Sequence, residues 1–280
     1  MGGTASVVRS WLLIEHAGPW GQDAFVDARL PDGFAAEMTV RCRAAAVRPL
    51  LIRRVAGEAG AGVRCFAIRS GPEPPWIETT TLDDLADALE LDIEALGGGS
   101  SPGLEAHADP VFLVCTHGRH DRCCAERGRP LALSLAARYP EQTWESSHFG
   151  GDRFAGNVIA FPHGVYLGRV TPVDAERVVG EYTAGRLDLD HVRGRSCYAM
   201  AVQAAELELR TAQGHVGIDD VAFEAVRRSA DRVVVRFRTP RGRFEVRLDI
   251  DEVEPQFLTC RSETRLSAPR YELASISRID

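Results

Sequence analysis

No apolar stretch in this 280-residue sequence approaches the ~20 residues that a membrane-spanning helix needs. The N-terminus, Met1-Gly2-Gly3-Thr4-Ala5-Ser6, lacks the charged and apolar regions of a secretory leader. Both absences place the expected protein in the cytoplasm, off the membrane. An excess of positive charge is also missing: 33 basic residues stand against 40 acidic ones, a net charge of −7. That balance argues against non-specific nucleic-acid binding, which needs a basic surface. A disulfide framework is missing too. There are seven cysteines, an odd number, and three of them fall within ten residues at Cys115, Cys123 and Cys124. In a reducing compartment such clustering points to metal binding or thiol chemistry. No Cys-x-x-Cys opens a helix, so the usual thiol–disulfide exchange motif is absent. What is present is an ordinary globular composition, 45% hydrophobic and 26% charged, able to bury a core.

Hydrophobic periodicity predicts an α/β (α+β) fold. Strands are expected at Trp11–Ile14, Pro49–Ile52, Val63–Ile68 and Trp76–Thr80, with helices over Phe34–Ala46 and Leu82–Leu96. Gly97 to Gly103 reads as a linker. The order then repeats. Val111–Val114 and Thr143–Phe149 are expected strands, and a helix opened by Pro130 is expected over Gly128–Tyr139. A hairpin turns at His163-Gly164, and a helix covers Thr171–Gly185. Two βαβββα units imply an internal duplication, each resembling a thioredoxin-type layer. The expected division is a unit without ligands at 1–104, a ligand-bearing unit at 105–190 and a small α+β appendage at 191–280. In the appendage a helix is expected over Ser196–Thr211 and a hairpin about Thr239-Pro240-Arg241-Gly242. It has no catalytic spacing and reads as a docking region, with a homodimer as one use.

The chemistry-bearing residues lie in the second unit. The run Cys115-Thr116-His117-Gly118-Arg119-His120-Asp121-Arg122-Cys123-Cys124 starts where a buried strand ends, a common place for ligands. A second run, His148-Phe149-Gly150-Gly151-Asp152-Arg153-Phe154-Ala155-Gly156-Asn157, also starts at a strand end. Its paired glycines let the backbone bend close to a bound group. Two ligands from each loop would make a four-ligand site. Thiolates select iron–sulfur clusters, zinc or copper(I), and zinc sites favour ligand pairs two to four residues apart. Cys115 and Cys124 are nine apart, which fits a larger inorganic core better. Cys123 rivals Cys124. His117 and His120 read as loop caps or as hydrogen-bonding groups beside the core. The ordinary readings stand beside these. Cys42, Cys65, Cys197 and Cys260 read as small buried apolar residues. Phe154 reads as a core anchor, Asn157 as a loop hydrogen-bonder and Asp152 with Arg153 as a surface ion pair. Glu15 to Gly21 reads as a turn that could wall a pocket.

The quoted residues resemble the sucrase/ferredoxin-like family, also described as thioredoxin-like ferredoxins. The family pattern is a Cys-x-His-Gly loop with a later Asp and Cys, followed by Ser-His-x-Gly-Gly-His-x-Phe-Ala. Here it reads Cys115-Thr116-His117-Gly118, Asp121, Cys124 and Ser147-His148-Phe149-Gly150-Gly151-Asp152-Arg153-Phe154-Ala155. The resemblance implies a [2Fe–2S] cluster, held in fungal members by two cysteines and two histidines. Cys115, Cys124 and His148 match those positions, while Asp152 stands where the second histidine would. The resemblance therefore implies electron transfer or redox sensing with a redox partner protein, such as a reductase. The rivals are a thiol–disulfide oxidoreductase using Cys115 with Cys123 or Cys124, and a cluster-free or zinc-binding member. Sucrose hydrolysis finds no support, because no opposed carboxylate pair is identifiable.

Overall fold

Apolar runs become buried strands and amphipathic stretches become the helices laid on them in the computed structural model. It describes residues 1–55, 61–252, 254–255, 257, 262–265 and 267–280. Cys260 lies outside them. The first half runs β1 (Ser10–Glu15), the one-turn α1 (Ala24–Asp27), α2 (Phe34–Ala44), β2 (Val47–Arg54), β3 (Val63–Arg69), β4 (Trp76–Leu82) and α3 (Ile93–Gly98). After the two-residue β5 (Glu105–Ala106), the second half runs β6 (Val111–Cys115), α4 (Arg122–Arg138), β7 (Thr143–Ser146), β8 (Val158–Phe161), β9 (Val165–Leu167) and α5 (Ala175–Thr183). The last part is β10 (Val192–Arg195), α6 (Met200–Gln213), β11 (Ala222–Arg228), β12 (Arg232–Thr239), β13 (Gly242–Glu252) and β14 (Pro269–Arg278). No helix among the described residues is long and apolar enough to cross a membrane.

Both halves share one strand plan. In each, the first strand pairs parallel with the second and antiparallel with the third, and the third pairs antiparallel with the fourth. The halves join through β2 and β7, which run antiparallel, and the result is a single ten-stranded sheet ordered β10-β9-β8-β6-β7-β2-β1-β3-β4-β5. One row of paired residues crosses the seam: Glu15 faces Ile52, Ile52 faces Ser146, and Ser146 faces Cys115. Arg53 and Glu145 form an ion pair across it at 2.5 Å, and Arg54 lies 3.9 Å over the Trp144 ring.

The sheet curls on its shared face. Strands β1 and β8 are four places apart, about 19 Å in a flat sheet at ~4.8 Å per strand. Yet the rings of Trp11 and Phe161 stand 5.2 Å apart, and those of Phe66 on β3 and Trp144 on β7 5.6 Å apart. Alternation along each strand feeds this inner face: Trp11 and Leu13, Leu50 and Ile52, and Val111 and Leu113 belong to one cluster. The intervening residues face outward onto helices. Leu12, Ile14 and Leu51 meet α2 and α3, while Phe112 and Val114 meet α4 and α5.

Two predicted helices differ in extent. The 82–96 stretch breaks into a 3₁₀ turn at Leu85–Glu90 and then α3, because Asp84 and Asp92 each accept a hydrogen bond from a later backbone N–H and restart the helix. Helix α4 begins six residues before the expected Gly128 and takes Pro130 into its interior. The C-terminal part is an antiparallel meander, β11-β12-β13-β14, packed on α6 through Val233, Val235, Phe237, Val246 and Leu248.

The sequence contains no lysine, so every basic residue is arginine. One buried arginine pair ties α6 to β10. Glu206 accepts from Arg195 at 2.7 Å and from Arg210 at 2.9 Å, all three being buried. Burial opposes ionisation of Glu206, but the two guanidiniums outweigh it and hold the carboxyl below its ordinary range. Removing the shared acid leaves two buried cations unpaired. Glu206→Ala should therefore destabilise the protein by about 3–5 kcal/mol in urea denaturation. A loss under 1 kcal/mol would show that water replaces the carboxylate without penalty.

Candidate metal centre

Two loops that leave neighbouring strands build the site. Cys115 ends β6, where its N–H donates to Asn157 O at 3.1 Å. Six residues on, Asp121 caps α4: its carboxylate accepts from the Cys123 N–H at 3.2 Å. Cys123 and Cys124 thus occupy the first helical turn, where the helix dipole favours negative charge. Gly128 lets this helix lie against the strand end, since a Cβ there would stand 2.0 Å from Cys115 O.

The second loop is fixed from the other half of the molecule. Ser147 donates its N–H to Leu51 O at 2.8 Å, and its hydroxyl oxygen accepts from the Leu51 N–H at 3.1 Å. His148 follows, then Gly150 and Gly151 at φ of 102° and 87°, then a 3₁₀ turn over Asp152–Phe154. A Cβ on Gly151 would meet the Arg193 guanidinium at 2.2 Å. Arg193 donates to Gly150 O at 3.2 Å and to Asn157 Oδ1 at 2.9 Å, while Asn157 Nδ2 donates to Gly151 O at 2.8 Å. Burial lowers the Arg193 pKa to about 10, which leaves it charged at neutral pH.

Cys115 and Cys124 are 2% and 1% exposed. Their sulfurs stand 3.9 Å and 4.0 Å from His148 Nδ1. The donor atoms of these three residues all lie within 4.8 Å of one another, and those of His120, His148 and Asp152 form a second such group. Asp152 Oδ1 is 3.1 Å from His148 Nδ1 and 3.7 Å from Cys124 Sγ. Its other oxygen is buried with no hydrogen-bond partner. The hydrogen bond from Cys124, aided by His148, holds the Cys115 thiol well below its ordinary pKa despite burial. Cys124 keeps the shared proton and is pushed up. Burial pushes the Asp152 carboxyl up, with His148 opposing.

The remaining residues singled out in the sequence stand around this group. His117 is a clamp: Nδ1 accepts from the His148 N–H at 3.2 Å, and Nε2–H donates to Gly21 O at 2.8 Å. Burial lowers its pKa and keeps it neutral for that role. His120 stacks on His148 with ring centroids 3.8 Å apart and donates from Nδ1 to Gln22 O at 3.2 Å. The Cys123 thiol donates to the Asp152 backbone carbonyl at 3.2 Å. Phe154 is buried, and Asn157 binds within the loop, as expected of both. Arg153 makes no ion pair with Asp152; its guanidinium lies 4.8 Å over the Phe154 ring. Sequence reasoning missed three contributors. The Asp121 cap was open to view as an Asp preceding the helix. The carbonyls of Gly21 and Gln22 carry no side-chain signal. Arg193 comes from β10, far from either motif.

The donor set fits a metal. Zn–S and Zn–N bonds of ~2.3 and ~2.0 Å give tetrahedral edges of about 3.3–3.8 Å, and iron–thiolate bonds are of similar length. His148 Nδ1 stands 3.9, 4.0 and 3.1 Å from the Cys115 sulfur, the Cys124 sulfur and Asp152 Oδ1, and Asp152 Oδ1 stands 3.7 Å from the Cys124 sulfur, all close to such edges. An orphaned carboxylate oxygen supplies a further lone pair.

No solved structure matches this chain. A yeast protein from Meyerozyma guilliermondii, named altered inheritance of mitochondria protein 32, is 32% identical over 81 residues, a stretch that covers 25% of this chain and 29% of that protein. The sucrase/ferredoxin-like family model matches residues 1–194, which take in both sheet units and every residue of the site. On that match the chain belongs to the sucrase/ferredoxin-like family.

Proposed function

We propose that this protein holds a [2Fe–2S] cluster with Cys115, Cys124, His148 and Asp152 and acts in electron transfer or redox sensing. The observation that carries the reading is the gathering of two buried sulfurs and one imidazole nitrogen within 4.8 Å, beside a buried carboxylate with an unpartnered oxygen. Each βαβββα unit is read as thioredoxin-like, with the second supplying the donors. Such a cluster, when bound, supplies one-electron chemistry at iron. The chain's own part is to hold the donors, exclude water and fix charge. The first-turn position of Cys124 favours negative charge there, and the hydrogen bond it gives draws Cys115 toward the thiolate. His117 and His120 set the His148 ring from two sides. A cleft of about 180 Å³, bordered by Arg48, His120 and His148, is the open side on which a redox partner protein would approach.

The compactness of the set favours a second reading, a single zinc ion, because separations of 3.1–4.0 Å among His148, Asp152 and the two sulfurs suit one tetrahedral centre. Thiol–disulfide exchange is disfavoured: both sulfurs are almost fully buried, and an attacking thiolate needs access.

Two predictions follow from the geometry. Anaerobically prepared or reconstituted protein should be coloured and carry about two irons and two sulfides per chain. Cys115→Ser and Cys124→Ser should abolish this, whereas Cys123→Ser, whose thiol turns to the Asp152 carbonyl, should retain most of it. Colourless protein with one equivalent of zinc would select the single-ion reading. Loss of the cluster from Cys123→Ser but not from Cys124→Ser would reverse the cysteine roles.

The second concerns charge. Two thiolates, one neutral imidazole and one carboxylate leave an oxidised site with one net negative charge, where a second histidine would leave none. Asp152→His should therefore raise the reduction potential and keep the cluster. Asp152→Ala should make it labile. Voltammetry and bleaching rates report both, and unchanged values in Asp152→Ala would remove Asp152 from the donor set.

A further inference from the structure

Many arginines among the described residues pair with acids, as along the C-terminal sheet, where Arg232 meets Asp249 and Arg236 meets Glu245. The loop behind the metal centre is different. The guanidinium carbons of Arg153, Arg193 and Arg169 stand 4.8, 4.9 and 5.7 Å from the centre of the Phe154 ring. Each of the three charges is thus within 6 Å of one point. Arg193 spends its donors on carbonyls, an amide oxygen and a hydroxyl. The side chains of Arg153 and Arg169 form no ion pair or hydrogen bond among the described residues. Both residues are exposed.

Two more observations single the cluster out. Arg169 holds a φ of +57°, in the left-handed region where residues other than glycine are uncommon. The strain is consistent with the need to set this side chain over Phe154. Arg153 and Arg169 also border a cleft of about 440 Å³, closed on its other sides by Met1–Thr4 with the Met1 amine, by Glu208 of α6 and by Arg270 and Tyr271 of β14. Arg270 is paired with Glu272 at 3.0 Å, which leaves Glu208 as the acid facing two free guanidiniums.

We propose that this cleft is a binding site for a small polyanion, a molecule carrying phosphate or carboxylate groups and at least two negative charges. Clustered arginines with open donors match such oxyanions bidentately. A concave site of this volume suits a small molecule better than a flat protein face does. The inference does not rest on the metal-site reading, because none of the proposed donors lines the cleft.

The test is calorimetric titration of the full-length protein in low chloride with inorganic pyrophosphate and, separately, with citrate. Saturable binding is expected for at least one of them, and the stronger identifies phosphate or carboxylate as the preferred group. Arg153→Gln and Arg169→Asn should each raise its Kd about tenfold or more. Asparagine is chosen because it tolerates the left-handed backbone. Arg232→Gln, two strands from β14 and outside the lining of the cleft, should leave the Kd unchanged. Failure of both anions to saturate would overturn the proposal, as would binding that all three variants share with the native chain. Tight binding of a deca-glutamate peptide with none of the small anions would also overturn it, in favour of a docking surface for an acidic protein.

Discussion

The antiparallel pairing of β2 with β7 is the constraint on which the rest of the molecule depends. Only three residue pairs form it, yet it turns two four-stranded units into one sheet. It also decides where the chemistry sits. Ser147, the residue after β7, is held by both polar groups of its contact with Leu51, so His148 leaves the sheet at a fixed point beside the other half. The curl of the sheet follows from the same joint. Once the two inner faces are continuous, their aromatic rings are buried only if the outer strands swing toward one another, and Trp11 against Phe161 closes that core.

The candidate metal centre shows how a buried, charge-dense site is made tolerable. Two thiols and a carboxylate compete for few protons in a space shielded from water, and burial alone would neutralise them. The helix start at Asp121, the imidazole of His148 and the charged Arg193 supply the opposing influence. The backbone of the first half contributes as well, since the carbonyls of Gly21 and Gln22 fix the histidines that frame the site. A unit without donors is thus part of the centre.

The sequence carried the element order well because strand and helix periods are local. Val111–Val114 and Trp11–Ile14 could hardly be anything but buried strands, and the duplication was legible from their repeated order. The pairing of β2 with β7 was not, because it joins residues about ninety apart and leaves no local trace. Pro130 as a helix opener puts the expected start of α4 at Gly128, whereas the Asp121 cap starts it at Arg122 and brings Cys123 and Cys124 into the first turn. The site residues themselves were visible as residue types at strand ends. The direction of each side chain was not: adjacent cysteines in one helical turn face different partners, and only the fold separates the thiol beside His148 from the one on a carbonyl.

The row of residues that crosses the seam has a consequence for descent. Glu15 and Cys115 hold equivalent places, each at the end of the first strand of its copy and each one step from the central pair Ile52 and Ser146. In the bare copy the position has been turned to bracing: the Glu15 carboxylate accepts from the Arg64 N–H on the neighbouring strand at 3.2 Å. The same place in the shared strand plan thus serves as a brace in one half and as a candidate donor in the other. One copy is held by the demands of its donors, while the other remains open to variation in the segment that walls them. A change in the first half can therefore retune the candidate centre through the carbonyls of Gly21 and Gln22 without altering a donor.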